Sequence, residues 1–348
     1  MMQCQIVRRI TSALVFLAAF LPGFAAAQGV EKPNIKVMMD WVIQGTHAPF
    51  ILADIKGYFK QEGLTVTIDR GTGAGNTANA VGSGGYDFGW VDAPTLVKFN
   101  AQNPKTPQLG VYMSFDESAL AIVSLKARPI NKPSDIDGKR IAAPSGSAVV
   151  NTLPILLRAG KSETAKVNWQ FVAPQLMPTL LVKGDTDGIG GFTNSQIMAV
   201  RSLGVKMEDI TVLKYADFGV DMYGLALTGM TKFVNENPRT VAAFVRALNK
   251  GTKDAIADPK AAVALMKTRD PLMDEALEVE RLRISLNHTL TAHTAKAGLS
   301  SVTRERLQRT IDTVAGSETL LTKPTIADIW TDQFLPSVAD RMPPALGK

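Results

Sequence analysis

The 348-residue chain has one cysteine, Cys4, and it lies ahead of an apolar run from Ile10 to Phe24. Arg8 and Arg9 precede that run and Ala25-Ala26-Ala27 follow it, the pattern of a cleavable secretory leader. The run is short for a membrane span, which needs about 20 residues, and Pro22-Gly23 breaks it. Residues 1–27 therefore read as a signal peptide, and the mature chain is expected to begin at Gln28. Cys4 leaves with the leader. That excludes a disulfide framework, a thiolate nucleophile and a cysteine metal site from the mature protein.

Histidine is almost as scarce, with three in the chain. His288 and His293 are five apart, which is not metal-ligand spacing on one helix face, and His47 has no triad signature nearby. No H-E-x-x-H, G-x-S-x-G or P-loop occurs. The GTGAG at 71–75 lacks the third glycine of a dinucleotide fingerprint, because position 76 is Asn. Nothing pairs a nucleophile with its base, so neither catalysis, metal nor cofactor is expected. The net charge of +6 falls to +4 without the two leader arginines, and no dense Lys/Arg run marks a nucleic-acid partner. No second long apolar run follows, so the mature chain is expected to be soluble.

What the sequence does have is alternation. Residues 35–41, 64–69, 87–91, 109–115 and 120–126 read as strands. Helical patterns over 48–59, 75–83 and 93–102 separate them, with Ile51, Leu52, Ile55, Tyr58 and Phe59 on one face of the first. The alternation restarts with a short helix over 133–137. Strands follow over 140–143, 167–172, 186–190, 210–215 and 223–229, and helices over 147–159, 175–183 and 194–203. This is an α/β fold with largely parallel sheets, in two blocks that imply two lobes. After Met230 only helices are expected, over 236–268, 273–287, 301–314 and 324–338.

Ligands in open α/β sheets bind beyond the carboxyl ends of strands, where helices begin and free N–H groups point outward. Five such turns carry candidate groups: Asp40-Trp41 through His47, the 71–76 loop, Trp90 through Thr95, Ser145-Gly146-Ser147, and Gly190 through Phe192 and Asn194. Asp92 also fits a cap for the helix opened by Pro94, and Ser145–Ser147 a plain helix entry. Trp41 and Trp90 at strand ends favour the wall of a site for a flat ligand. Asp40, Asp92 or Asn194 would read its N–H or amino groups. His47 reads either as a ligand hydrogen-bonder or as a helix-entry cap.

Asp40-Trp41, His47-Ala48-Pro49-Phe50 and Gly57-Tyr58-Phe59-Lys60-Gln61-Glu62-Gly63-Leu64 carry a family resemblance. So do Gly82-Ser83-Gly84 with Tyr86-Asp87-Phe88-Gly89, Ile136-Asp137-Gly138 through Ser147, and Phe233-Val234 through Phe244. In order and spacing they are similar to the nitrate/sulfonate/taurine and thiamine-pyrimidine-type solute-binding proteins of ABC importers. The resemblance implies a type II periplasmic binding protein-like fold, two α/β lobes joined by two hinge crossings near 120–127 and 218–226. It implies lobe 1 over 28–122, lobe 2 over 123–222, and a return strand and helical tail over 223–348 that rejoin lobe 1. It further implies a monomeric periplasmic protein that captures a small-molecule ligand between its lobes for a separate permease and ATPase. The His-x-Pro-x-x-x-Ala spacing at 47–53 and the GTGAGN loop look like the pyrimidine-type branch, with a heteroaromatic solute. A sulfonate, taurine or aromatic carboxylate would instead use Ser145–Ser147 N–H groups and hydroxyls. The fold also includes thiamine-pyrimidine synthases, which carry a lysine and then a histidine after the third strand, and a cysteine-rich motif. Val91 and Thr95 stand at those two positions here, so the resemblance loses that enzyme's reactive residues.

Overall fold

The structure is a computed structural model that describes residues 29–317 and 319–347. The leader, Cys4 and Gln28 lie outside the described residues. Ten strands form two five-stranded sheets. The first sheet holds β1 (Asn34–Met38), β2 (Thr65–Asp69), β3 (Phe88–Asp92) and β4 (Gln108–Met113), with β10 (Leu225–Met230) inserted to give the order β2-β1-β3-β10-β4. The second holds β5 (Leu120–Leu125), β6 (Arg140–Ala143), β7 (Asn168–Phe171), β8 (Gly188–Phe192) and β9 (Ile210–Lys214) in the order β7-β6-β8-β5-β9. Each sheet has three parallel strands and then an antiparallel one, β10 or β5, delivered from the far side of a crossing.

Local sequence explains these elements. In β1, Ile35 and Val37 are buried while Asn34 and Lys36 face solvent, a period of two on a strand covered from one side. In β3 and β8 every residue is buried, because central strands carry helices on both faces. The crossings at 114–119 and 215–224 hydrogen-bond to each other: Ser114 and Phe115 donate to the Leu225 carbonyl, Gly224 to Phe115 and Ser118 to Met222. The first crossing falls earlier than the expected 120–127, so all of β5 belongs to the second sheet.

The tail departs from its expected outline. The helix expected over 236–268 is three, Thr231–Glu236, Pro238–Ala257 and Pro259–Lys267. Proline cannot donate within a helix but fits its first turn, and Asp258 caps the third helix by accepting from the Ala261 N–H at 2.9 Å. Of the helix expected over 324–338, only Ile326–Ile329 and Val338–Arg341 form, because Trp330 bridges to Gly110. The first helix likewise stops at Ile55 and restarts at Tyr58, around Gly57 at φ 71°.

Two tail helices also touch both lobes. Glu275–Thr289 packs on residues 45–47 and on helix Thr193–Arg201, while Arg304–Ser317 packs on helices Ala93–Gln102 and Ala148–Ala159. From the latter helix, Arg306 reaches Asp116 of the first crossing at 3.3 Å and Asp221 of the second at 2.8 Å.

Helix Pro238–Ala257 crosses helix Ala48–Ile55 so closely that a Cβ on Gly251 would lie 2.1 Å from the Pro49 carbonyl oxygen. Glycine in mid-helix costs about 1 kcal/mol against alanine, and this close approach explains its presence. Gly251→Ala should lower stability by about 1–3 kcal/mol through overpacking. Chemical denaturation would show it as a lower midpoint at unchanged slope.

Candidate ligand cleft

The carboxyl ends of β1, β6 and β8 face one another across the gap between the sheets, and the turns that follow them line a small cavity. Its walls are the side chains of Asp40, Trp41, Ser147, Phe192, Ser195 and Gln196 and the backbone around Gly73 and Gly191. The space open to the centre of a water molecule is about 20 Å³, room for about one water. The lobes are thus closed on each other. At the front, Gly75 N–H donates to the Gly146 carbonyl at 2.9 Å. A Cβ on Gly73, whose φ is +139°, would come 2.6 Å from that same oxygen, and a Cβ on Gly146 2.1 Å from Asn76 Oδ1. At the back, Asn194 Nδ2 donates to Thr46 Oγ1 at 2.6 Å and Gln44 Nε2 to Ser195 Oγ. Arg281, paired with Glu278 at 2.9 Å, donates to the Asn194 and Ser195 carbonyls at 3.2 and 2.9 Å.

The ten candidate residues divide into layers. Asp40, Trp41, Ser147 and Phe192 line the cavity. Ser145 and Gly146 line an outer vestibule of about 290 Å³ shared with Asn76, Asn79, Lys98 and Asn151. His47 lies one layer back and is 0% exposed, so it is not a contact on the cavity surface. Its Nδ1 lies 3.1 Å from the Gln44 N and 3.2 Å from the Gln44 carbonyl oxygen, and its Nε2 lies 3.1 Å from Asp40 Oδ1. Trp90 is not a cavity wall either. It is 1% exposed, packs edge-on to His47 and Phe50 at 5.3 Å, and its indole N–H donates to Ser114 Oγ at 3.0 Å. β3 is a central strand, so its tryptophan enters the core; Trp41 lies beyond the end of β1 and reaches the gap.

Asp92 caps helix Ala93–Gln102 through Oδ2, which accepts the Thr95 N–H at 3.2 Å, and is 1% exposed. Burial, with the nearby Asp40 carboxylate adding to it, pushes the Asp92 carboxyl up to about 6. Five buried side-chain oxygens in this region have no partner: Asp92 Oδ1, Thr95 Oγ1, Ser147 Oγ, Asn194 Oδ1 and the Tyr215 hydroxyl. Burial and the adjacent Asp92 charge raise the Tyr215 phenol above its ordinary range. Such atoms are rare in a finished interior and mark where a ligand or water is accommodated. Ser195, Gln196 and Tyr215 were not among the candidates. The first two sit in the same strand-to-helix turn as Phe192 and Asn194, and reading one helical turn further would have found them.

Comparison with known proteins agrees with this geometry. Residues 44–262 match the family model described as NMT1/THI5 like. The chain belongs to this family. It is 25% identical over 281 residues to a formylaminopyrimidine-binding protein of Halalkalibacterium halodurans, covering 79% of this chain and 83% of that protein. It is 26% identical over 237 residues to a 4-amino-5-hydroxymethyl-2-methylpyrimidine phosphate synthase of Schizosaccharomyces pombe, covering 65% and 66%. The fold is that of the alkanesulfonate-binding protein SsuA of Xanthomonas axonopodis, with a TM-score of 0.65 at 15% identity over 87% of this chain and 99% of that one. The fold is therefore that of periplasmic binding proteins, and the family includes binding proteins and synthases.

Two groups give opposite pH slopes. Asp92 is raised from 3.8 to about 6 on folding, so its contribution is present at low pH and lost as pH rises through 6. His288, bonded to Thr193 Oγ1 at 2.9 Å, is held down from 6.5 to about 4 by burial and then by Lys214. Its contribution is full above pH 6.5 and lost as pH falls toward 4. Between about pH 4 and 6 the two oppose each other. Asp92→Asn, which keeps a capping residue, should steepen the loss of melting temperature in acid. His288→Gln should flatten it.

Proposed function

We propose that the protein is the exported, periplasmic solute-binding component of an ABC importer. It captures a small flat heteroaromatic of the pyrimidine type between its lobes, acts as a monomer, and hands its cargo to a separate permease and ATPase. The observation that carries this reading is the composition of the cavity. Trp41 and Phe192 supply aromatic surface, Asp40 a fixed carboxylate, and none of the lining residues is Lys or Arg. Of the unpartnered buried oxygens, Ser147 Oγ belongs to a lining residue, while Asp92 and Asn194 are not among the lining residues. Carboxylates and amide oxygens only accept hydrogen bonds, so the best occupant is a ring bearing N–H or amino groups. A ring does not fit the closed cavity. The lobes must part for it to enter, and the paired crossings at 114–119 and 215–224 are the natural hinge.

A sulfonate is the second reading, favoured by helix starts at Ala74, Ala148 and Thr193 that converge on the cleft. The buried Asp40 carboxylate opposes it, because like charges at close range in a poorly solvated site repel strongly. A synthase activity is disfavoured by Val91 and Thr95, which stand where the resemblance places that enzyme's lysine and histidine.

The test is to unfold purified protein spanning 28–348 and identify released small molecules by mass spectrometry. Emptied protein is then scanned for thermal shifts with 4-amino-5-hydroxymethyl-2-methylpyrimidine, riboflavin and taurine. A ligand at a hundredfold its Kd adds about 2.7 kcal/mol. A shift with the pyrimidine and none with taurine is expected; the reverse would move the assignment to sulfonates, and a chemically altered pyrimidine would reopen the enzyme. Trp41→Ala should weaken pyrimidine binding about 2- to 12-fold, from the loss of ~0.5–1.5 kcal/mol of aromatic contact. Titration of the remaining tryptophan fluorescence would measure it.

A further inference from the structure

Helix Arg304–Ser317 touches both lobes, but by different means. The chain on either side of it is bonded to lobe 1. Before it, Ser300 Oγ accepts the Met113 N–H at 2.7 Å. After it, Thr322 Oγ1 donates to the Ala101 carbonyl at 3.1 Å, Asn100 Nδ2 to the Asp328 carbonyl at 2.7 Å and the Thr331 N–H to the Gly110 carbonyl at 3.1 Å. The first half of the helix is bonded to the second crossing. The Thr303 N–H donates to the Tyr223 hydroxyl at 2.8 Å, the Tyr223 N–H to Thr310 Oγ1 at 3.4 Å, and the Arg306 guanidinium lies 4.5 Å from the centre of the Tyr223 ring. Toward lobe 2 the contact is apolar. Leu307, Ile311 and Val314 belong to one buried cluster with Leu153 and Leu156 of helix Ala148–Ala159. The side-chain bonds of Arg306, Arg309 and Asp312 end instead on the crossings, on the helix itself or on Lys323.

The seam between the two helices is marked on the surface by a groove of about 430 Å³. Ile155 and Ala159 stand on its lobe 2 side, Thr313 and Gly316 on its tail side, and Gly219-Val220 of the second crossing between them. The helices approach closely there, since a Cβ on Gly316 would lie 3.3 Å from Arg158 Nη1. We propose that helix Arg304–Ser317 is a latch: carried by lobe 1 and held at the crossings by Arg306, it seals against helix Ala148–Ala159 when the lobes close and parts from it when they open. An apolar seam is non-directional and re-forms without a register to find, whereas the polar contacts at the front and back of the cleft have water as a ready substitute. The latch reports on the cavity through one rigid element. Helix Ala148–Ala159 starts at Ser147, which lines the cavity, and its far end forms the seam. The latch therefore sets how tightly the cleft holds its contents from a place that no ligand touches. This rests on the proposed parting of the lobes, and not on which ligand they enclose.

The chain from Gln28 onward holds no cysteine, so introduced pairs can be bridged specifically. Ala159→Cys with Thr313→Cys spans the seam, and Gln102→Cys with Thr322→Cys joins the tail to lobe 1 as a control. Each pair is bridged by a short bifunctional thiosulfonate that reductant removes, and folding is checked by circular dichroism. Small-angle scattering of the ligand-free protein should give a radius of gyration above that of the closed structure. The seam bridge should bring it down to the closed value, reductant should restore it, and the control bridge should leave it unchanged. With the aminopyrimidine named above as probe, bridging the seam of the empty protein should slow entry at least about tenfold, and bridging the loaded protein should slow release at least about tenfold. A seam bridge that leaves the larger radius unchanged means that the helix travels with lobe 2; it overturns the latch and leaves the opening of the lobes standing. Ligand-free protein as compact as the closed structure, with or without the bridge, overturns the latch and the proposed opening together. Failure of the pyrimidine to bind overturns the ligand reading alone, because the scattering still decides the latch.

Discussion

An imidazole holding a carboxylate at the bottom of a closed cleft is the contact on which the site depends. His47 Nε2 lies 3.1 Å from Asp40 Oδ1, and its Nδ1 faces the Gln44 backbone. The ring sits in a short 3₁₀ turn that the tail holds through Glu278, which accepts the Gly45 N–H, and through Ser285, whose hydroxyl bonds that of Thr46. Trp90 packs against the imidazole face from behind, and Ser114 of the first crossing holds Trp90 in turn. The carboxylate that meets a ligand is thus fixed by a chain of contacts running from the hinge through the core. Contact and support are separated: Asp40 lines the cavity, and the ring that orients it lies one layer back.

The same separation appears in how the lobes meet. The front contact is backbone on backbone, made possible by Gly73, Gly75 and Gly146, and the back contact is a set of side-chain hydrogen bonds around Thr46, Asn194 and Gln44. Hydrogen bonds of this kind each contribute about 0.5–1.5 kcal/mol net, and water replaces them readily when the surfaces part. One apolar cluster runs through both sheets by way of the crossings and of tail helix Arg304–Ser317. Arg306, held to Asp116 and Asp221 on the two crossings, ties both crossings to that helix.

Much of this was legible in the residues. Alternation in Ile35 and Val37 marked β1, and Asp92 followed by Pro94 marked a capped helix start that the structure contains. Depth was not legible. Trp41 and Trp90 both stand near strand ends, but one lies past its strand and the other within a strand covered on both faces, a difference set by sheet order. His47 is near the cleft in sequence and one layer behind it in space, because the 3₁₀ turn points its ring inward. Pro259 misled in another way. A proline at a first helical position extends an apparently continuous helical pattern, and Asp258 just before it was the cap that divided the two helices.

The proposed choice of ligand turns on charge. A shared scaffold brings several helix starts to one gap, and helix starts attract anions. In this chain the strand ends that enter the same gap carry Asp40 and, deeper, Asp92, which set a field of the opposite sense. Backbone amides remain as donors, and carboxylates stand as acceptors on the other side. A ligand that satisfies both must present acceptors and donors on one rigid outline without carrying a net negative charge. A nitrogen heterocycle with an exocyclic amino group does this, whereas a sulfonate meets only the amide side and brings its charge against the carboxylates. On the proposed reading, the choice between two ligand classes on one fold turns on which side chain follows the first strand, here Asp40.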